Sequence, residues 1–255
     1  MVEMAGTSRY VYGTFDKNGQ FASGHSSHLP YLIIDNELQI MTRLFDFFEP
    51  FIRLPMRIQM SSRRVGSGFA DMSLGARIPV LREGAFSYLP ALTFFTSVGI
   101  PTGTKATAEG GVFNEDITGS GAWQINLGLF LEKEMRGLTF GLGYGFSAET
   151  DYFTGRAEKP GAKHEPLFSA GYSLDDCGDL SATLSATFQE RGLANHKPVA
   201  DSDRRKFTVG MGYGVSLHSH LRVNAHLGTD LPIPHLGKKF NNDVMLRIGM
   251  RIGVF

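Results

Sequence analysis

An internal disulfide framework and CxxC metal chemistry are excluded at once, because the 255-residue chain has a single cysteine, Cys177 in "LDDCGD". Net charge is missing as well, since 25 Lys and Arg are matched by 25 Asp and Glu. With no basic excess to neutralise phosphates, a nucleic-acid-binding reading fails. The opening "MVEMAGTSRYVYG" holds no apolar signal core. Nor does any stretch read as a membrane helix. The longest uncharged run, "GAFSYLPALTFFTSVGIPTGT" at 84–104, approaches the required length. Its Pro90, Gly99 and Pro101, with its β-branched and aromatic content, predict a strand over 88–100 instead.

Glycine, in contrast, is plentiful at 31 residues, and it occurs inside alternating segments as well as in turns. Glycine weakens an ordinary strand unless the sheet bends or a neighbour passes close by. The stretch "AWQINLGLFLEKEMRGLTFGLGYGFSAE" at 122–149 shows the pattern. Trp123, Ile125, Leu127, Leu129 and Leu131 share one parity, with Gln124, Asn126, Gly128 and Glu132 on the other. After "EMRG", Leu138, Phe140, Leu142, Tyr144 and Phe146 alternate with Thr139, Gly141, Gly143, Gly145 and Ser147. Alternate side chains of a strand point to opposite faces, so this is a hairpin with one apolar face and one small, polar face.

Segments 69–80, 180–190, 207–217, 221–229 and 244–254 repeat the scheme. With 7–15, 31–43, 50–60, 88–100 and 166–174 they predict about twelve strands and almost no helix. Breaks near 44–48, 82–87, 135–137, 175–179 and 218–220 are short. Those near 16–30, 101–121, 150–165, 190–205 and 231–242 are long and polar, and 61–67 is intermediate. Because long and short alternate, an up-and-down meander would gather every long loop at one end, as transmembrane barrels do. The apolar rows carry large side chains and almost no charge, while the opposite rows carry Gly, Ser, Thr and Asn. Large groups fit the convex outside of a cylinder and small ones its crowded inside. Backbone groups in lipid have no water to bond, so the sheet must close. The reading is one all-β domain over 1–255: a transmembrane antiparallel up-and-down β-barrel of about 12 strands, both termini periplasmic. A mature or shortened sequence would explain the absent signal peptide.

The runs "GSGFADMSLGARIPVL", "LPALTFFTSVGIPTGT" and "GSGAWQINLGLFLEKEMRGLTFGLGYGF" resemble the outer-membrane barrels described as "MetA-pathway of phenol degradation". "YGTFDKNGQ" and "DNELQIMTRLFDFFEPFIRLPM" are similar to that family's first loop and second hairpin. The resemblance implies the outer membrane of a Gram-negative bacterium and passage of small organic, often aromatic, compounds. It supplies no catalytic residues. Phe255 is similar to the terminal aromatic that barrel-assembly machinery recognises, although the row Val244 to Val254 places it on the inner parity.

Inner-row polar groups are the candidate lumen residues: Arg53, Arg57, Asp71, Arg77, Gln124, Asn126, Glu132, Arg222, Asn224, His226, Arg247 and Arg251. Arg222 and Arg251 are expected to face each other across the ladder. Arginines outnumber acids in this set, and surplus guanidinium favours anions. The competing reading is that the arginines pair with Asp71, Glu132, Glu37 or Glu149 and fill the barrel. Histidines in "GHSSH" (His25, His28) and "HSH" (His218, His220) fall in an external loop and a tight turn, without an orienting partner for hydrolysis. Tyr10, Tyr12, Phe47, Phe48, Tyr88, Trp123, Tyr144, Tyr172 and Phe207 are candidates for interfacial girdles.

The function read from these features is a passive channel for small organic molecules, aromatic or anionic ones included, with no enzyme activity, cofactor or metal. Loops 101–121 and 190–205 would gate or select at the mouth, and small inner residues on the seventh, tenth and eleventh strands would leave space. Expected partners are outer-membrane lipid and lipopolysaccharide, barrel-assembly machinery and the solute, with no nucleic acid. A structural or surface-interaction barrel with a plugged lumen is the alternative. An outer-membrane hydrolase with a Ser or His site at the membrane edge is a further one.

Overall fold

Alternation produces twelve long strands: β1 (Val2–Phe15), β2 (Leu32–Met41), β3 (Glu49–Met60), β4 (Met72–Leu81), β5 (Ala91–Ile100) and β6 (Trp123–Met135) in the first half. The second half supplies β7 (Leu138–Thr150), β8 (Lys163–Ser173), β9 (Asp179–Gln189), β10 (Arg204–His218), β11 (Leu221–Asp230) and β12 (Asn241–Ile252). The computed structural model describes residues 1–15, 18, 20–23, 32–61, 65–84, 88–104, 118–150, 158–174, 178–194, 197–199, 202–233 and 241–253. Every strand pairs antiparallel with its sequence neighbours, and β12 returns to β1 from Val2↔Ile252 to Thr14↔Asn241. The sheet is closed, so no edge carries unpaired backbone groups into lipid.

All short connections lie at the end that holds the termini. There Met1 donates to the Met41 carbonyl at 2.8 Å and Gly253 N–H to the His220 carbonyl at 2.8 Å. Arg136-Gly137 between β6 and β7 is a two-residue turn, with φ of 53° and 79°. Positive φ at both central residues matches a two-residue hairpin turn to the strand twist.

The two faces of the wall answer the question the alternation raises. Met211, Leu142, Ile248 and Leu227 point outward and are 68%, 58%, 54% and 52% exposed. Buried apolar side chains among the described residues are only Ala5, Val11, Met41, Ala70, Ala76, Ala122 and Ala186, so there is no packed apolar centre. The largest fully buried side chains are polar: Asn242, Thr118 and Asp230. A surface this apolar over a polar interior is stable only with hydrocarbon around it.

Several expectations need correction. β1 starts at Val2 rather than 7, and β8 at Lys163 rather than 166. Pro166 disguises the second start. With no N–H to give, it falls in a gap of the β8–β9 ladder between His164↔Phe188 and Leu167↔Ser185. The strand expected over 69–80 breaks at Ala70 and Asp71. Thr102 Oγ1 is inserted there, donating to the Ala70 carbonyl at 3.0 Å and accepting from Met72 N–H at 2.9 Å. Upstream, Val65–Phe69 pairs with the upper half of β3, so the end of the intermediate break, from Val65, is a strand. Phe21–Ser23 adds to the top of β1. Glu158–Lys159, Leu193–Ala194 and Lys197–Pro198 form a separate three-stranded ribbon within two of the long loops. Among the girdle candidates, Tyr10, Phe47, Tyr88, Tyr144 and Tyr172 are exposed as expected. Tyr12 is not a girdle residue: it lies in a bulge between Val11 and Gly13, and its hydroxyl donates to the Asp230 carbonyl. Phe255, Cys177, His25 and His28 lie outside the described residues.

Candidate functional site

The barrel encloses an open cavity of about 1220 Å³, with walls made by the small, polar parity of the strands. Seven of the twelve expected residues line it: Arg53, Arg57, Asp71, Gln124, Asn126, His226 and Arg247. Arg77, Glu132, Arg222, Asn224 and Arg251 lie outside the cavity, toward the periplasmic end of their strands or, for Asn224, folded over Gly249. Thr7, Arg9, Asp35, Lys163 and Glu165 also line the cavity, and the alternation count passed them over; Glu37, expected as a partner of the arginines, lines it too. A signal existed on β2, where Asp35, Glu37 and Gln39 alternate with Ile34, Asn36, Leu38 and Ile40.

Ion pairs fix the arginines. Asp35 lies between two of them, receiving Arg57 Nε at 2.6 Å on one oxygen and Arg9 on the other. Arg53 reaches Glu37 at 3.2 Å and the Gln39 side-chain oxygen at 3.2 Å, over the Phe51 ring. Arg53 thus meets one of its expected partners, Glu37, whereas neither Asp71 nor Glu132 forms an ion pair with an arginine among the described residues. In a wet lumen each such pair contributes little stability, about 0–1 kcal/mol, so its main effect is to hold the guanidinium planes in place.

Nearer the periplasm is a belt of paired charges. Glu49, almost fully buried, takes Arg43 at 2.8 Å and Arg77 at 3.6 Å. Glu3 takes Arg251 at 3.1 Å and Arg247 at 3.8 Å. Arg222 donates to Asp179 Oδ2 at 2.6 Å. Arg222 and Arg251 do face each other in register, each neutralised by its own carboxylate.

The expected arginine surplus does not exist in the cavity. Among the described residues five cations line it (Arg9, Arg53, Arg57, Lys163, Arg247), against five acids (Asp35, Glu37, Asp71, Glu149, Glu165). The charges are, however, segregated. The wall from β12 to β3 holds four arginines and two acids; the remaining wall, from Asp71 round to β8, holds Lys163 and three acids. In a twelve-strand ring β7 and β8, with Glu149 and Glu165, stand across from β1 and β2. The result is a field across the lumen rather than along it.

Asp71 is primarily an anchor. Its carboxylate accepts Gly103 N–H at 3.0 Å and Ser120 N–H at 2.5 Å, tying together both ends of the 101–121 loop. Thr118 adds a bond from its hydroxyl to the Phe69 carbonyl at 2.6 Å. Residues 105–117 of that expected gate lie outside the described residues.

Glycines on β7, β10 and β11 do not simply leave space. A Cβ on Gly141 would collide with Ser169 Oγ and lie 2.6 Å from Phe130 Cζ. On Gly210 a Cβ would lie 2.7 Å from His226 Nε2, itself 3.2 Å from Thr183 Oγ1. On Gly228 it would lie 3.2 Å from Met245 Cε. These are sockets for the bulky inner residues of neighbouring strands.

On the outer wall His164 bonds the Tyr144 hydroxyl at 2.5 Å and Glu190 at 3.2 Å. Both ring nitrogens are therefore engaged, and no serine is among their partners. His218 and His220 stack at 5.7 Å in the short β10–β11 turn, exposed.

A family model described as "Putative MetA-pathway of phenol degradation" matches residues 4–233. The chain is similar in structure to the COG4313 outer membrane channel from Pseudomonas putida F1, with a TM-score of 0.74 at 15% identity, covering 99% of this chain and 94% of that one. The NanC porin aligns over 100% of both chains with a TM-score of 0.56 at 8% identity. The KdgM porin in complex with disordered oligogalacturonate aligns over 99% of both, at 0.51 and 9%. No curated protein matches the sequence.

Proposed function

This chain belongs to the MetA-pathway phenol-degradation family of outer-membrane barrels, and from that premise we propose that it is a passive channel for small organic molecules in a Gram-negative outer membrane. One observation carries the reading: a water-accessible cavity lies inside the closed wall, with a net excess of two cations on the β12–β3 side and of two acids on the other. A transverse field favours no sign of charge overall. It orients a solute with separated polar ends, its anionic or acceptor end toward Arg9 and Arg57 and its opposite end toward Glu149 and Glu165. The aromatic rings of Phe51 and Phe130 on the inner wall give a planar solute an apolar surface to slide on.

The test uses purified full-length protein in liposomes. Swelling rates are compared for a neutral aromatic alcohol, an aromatic carboxylate and a zwitterionic aromatic amino acid, with reversal potentials measured in a salt gradient. The expected outcome is passage of all three and a reversal potential near zero. Absence of both conductance and swelling overturns the reading. That result would favour the plugged barrel, which the belt of paired charges around Glu49, Glu3 and Asp179 supports.

A further inference from the structure

We infer that the outer wall over β7 to β10 is a docking site for the phosphorylated headgroup of an outer-leaflet glycolipid of the lipid A type. Four residues form one rung below the extracellular rim. Phe146 of β7 is in register with His164 of β8, His164 with Phe188 of β9, and Phe188 with Arg205 of β10. Antiparallel partners share a face, and this is the outward one, continuous with exposed Leu184 and Met211. The aromatic groups are locked together: Phe146 meets His164 edge-on at 5.5 Å, and Phe188 meets Phe207 edge-on at 5.8 Å.

Cations sit directly above this apolar band. Arg205 is exposed at the start of β10 on this outward row, whereas Arg204 falls on the inward row with Gln189 and Lys163; Lys197 is exposed on the three-stranded ribbon overhead. Neither Arg205 nor Lys197 has an ion-pair partner among the described residues. Arg191 approaches Asp203 at 3.8 Å. Among the described side chains at the outer rim here, Arg191, Lys197 and Arg205 stand against Glu190 and Asp203. The opposing Glu190 is engaged by His164. In the extracellular half of the barrel, the outward rows of the other strands carry no cation among the described residues. The occupant follows from this chemistry. Acyl chains cover the aromatic and Leu184 surface, and phosphate oxygens take bidentate hydrogen bonds from Arg205 at the depth where hydrocarbon ends. The inference requires only the outer-membrane location and not an open lumen.

Native mass spectrometry of the full chain in detergent tests it, titrating bis-phosphorylated lipid A and the same lipid with its phosphates removed. The expected result is selective retention of the phosphorylated form, weakening with ionic strength. Arg205→Ala should weaken it about fivefold, and Lys197→Ala by a similar factor. Arg82→Ala, which removes a charge from a periplasmic turn, should leave it unchanged. Equal binding of the phosphate-free lipid, insensitivity to salt, or a variant lacking both Arg205 and Lys197 that binds like the unaltered protein overturns the inference. The first two readouts need no variant, so a misfolded substitution does not remove the test.

Discussion

Moving one arginine by a single residue along β9 distinguishes the lipid face from the lumen. Leu184 is the central residue of Asp179–Gln189, 47% exposed on the outer wall and flanked across the ladder by Phe168 and Val209. Ser185, its neighbour, lines the cavity. An arginine at position 184 would stand near the bilayer midplane on the lipid face, where it costs about 2–4 kcal/mol. An arginine at position 185 enters a hydrated lumen beside acidic residues and should change stability by no more than about 0.5 kcal/mol, as ordinary surface substitutions do. The pair should therefore differ by about 3 kcal/mol, a factor of roughly 150 in the folding equilibrium. Folding into phospholipid vesicles, titrated with denaturant, measures it. Trp123, the single tryptophan, lies on the outer parity of β6 and reports insertion by its fluorescence. Equal stabilities, or a greater loss for Ser185→Arg, would refute the assignment of faces and with it the membrane reading.

Three other outcomes are expected. Gly141→Ala places a Cβ against the Phe130 ring and should cost about 1–3 kcal/mol while lowering single-channel conductance; adding Phe130→Ala should restore the conductance. Asp71→Ala leaves Gly103 and Ser120 N–H without their acceptor, a loss of about 1–3 kcal/mol, read as increased proteolytic cutting in 101–121 with the barrel still folded on a gel. Replacing Arg9 and Arg57 by Gln should move the reversal potential toward cation preference, and replacing Glu149 and Glu165 by Gln should move it toward anion preference by a similar amount. Unchanged potentials in both would remove these groups from the conduction path.

Much of the architecture was legible before any contact was known. Parity is a local property: each residue of a strand points opposite to its neighbours, so Leu138 to Phe146 declare an apolar face whatever they pair with. Loop lengths are local too, and their alternation located both termini at the short-turn end. Such patterns reveal Gln124, Asn126 and His226 as inward residues. They do not reveal what an inward residue touches. Phe130 filling the place above Gly141, Asp35 shared by Arg9 and Arg57, and Thr102 interrupting the chain at Ala70 all depend on register between strands tens of residues apart. So does the closure of β12 on β1, which joins Glu3 to Arg251 across nearly the whole chain. The sequence alone determined the faces, because alternation travels along the backbone. Only the tertiary structure decided the charge balance and its segregation, because those arise across the ladder, where register selects which side chains meet.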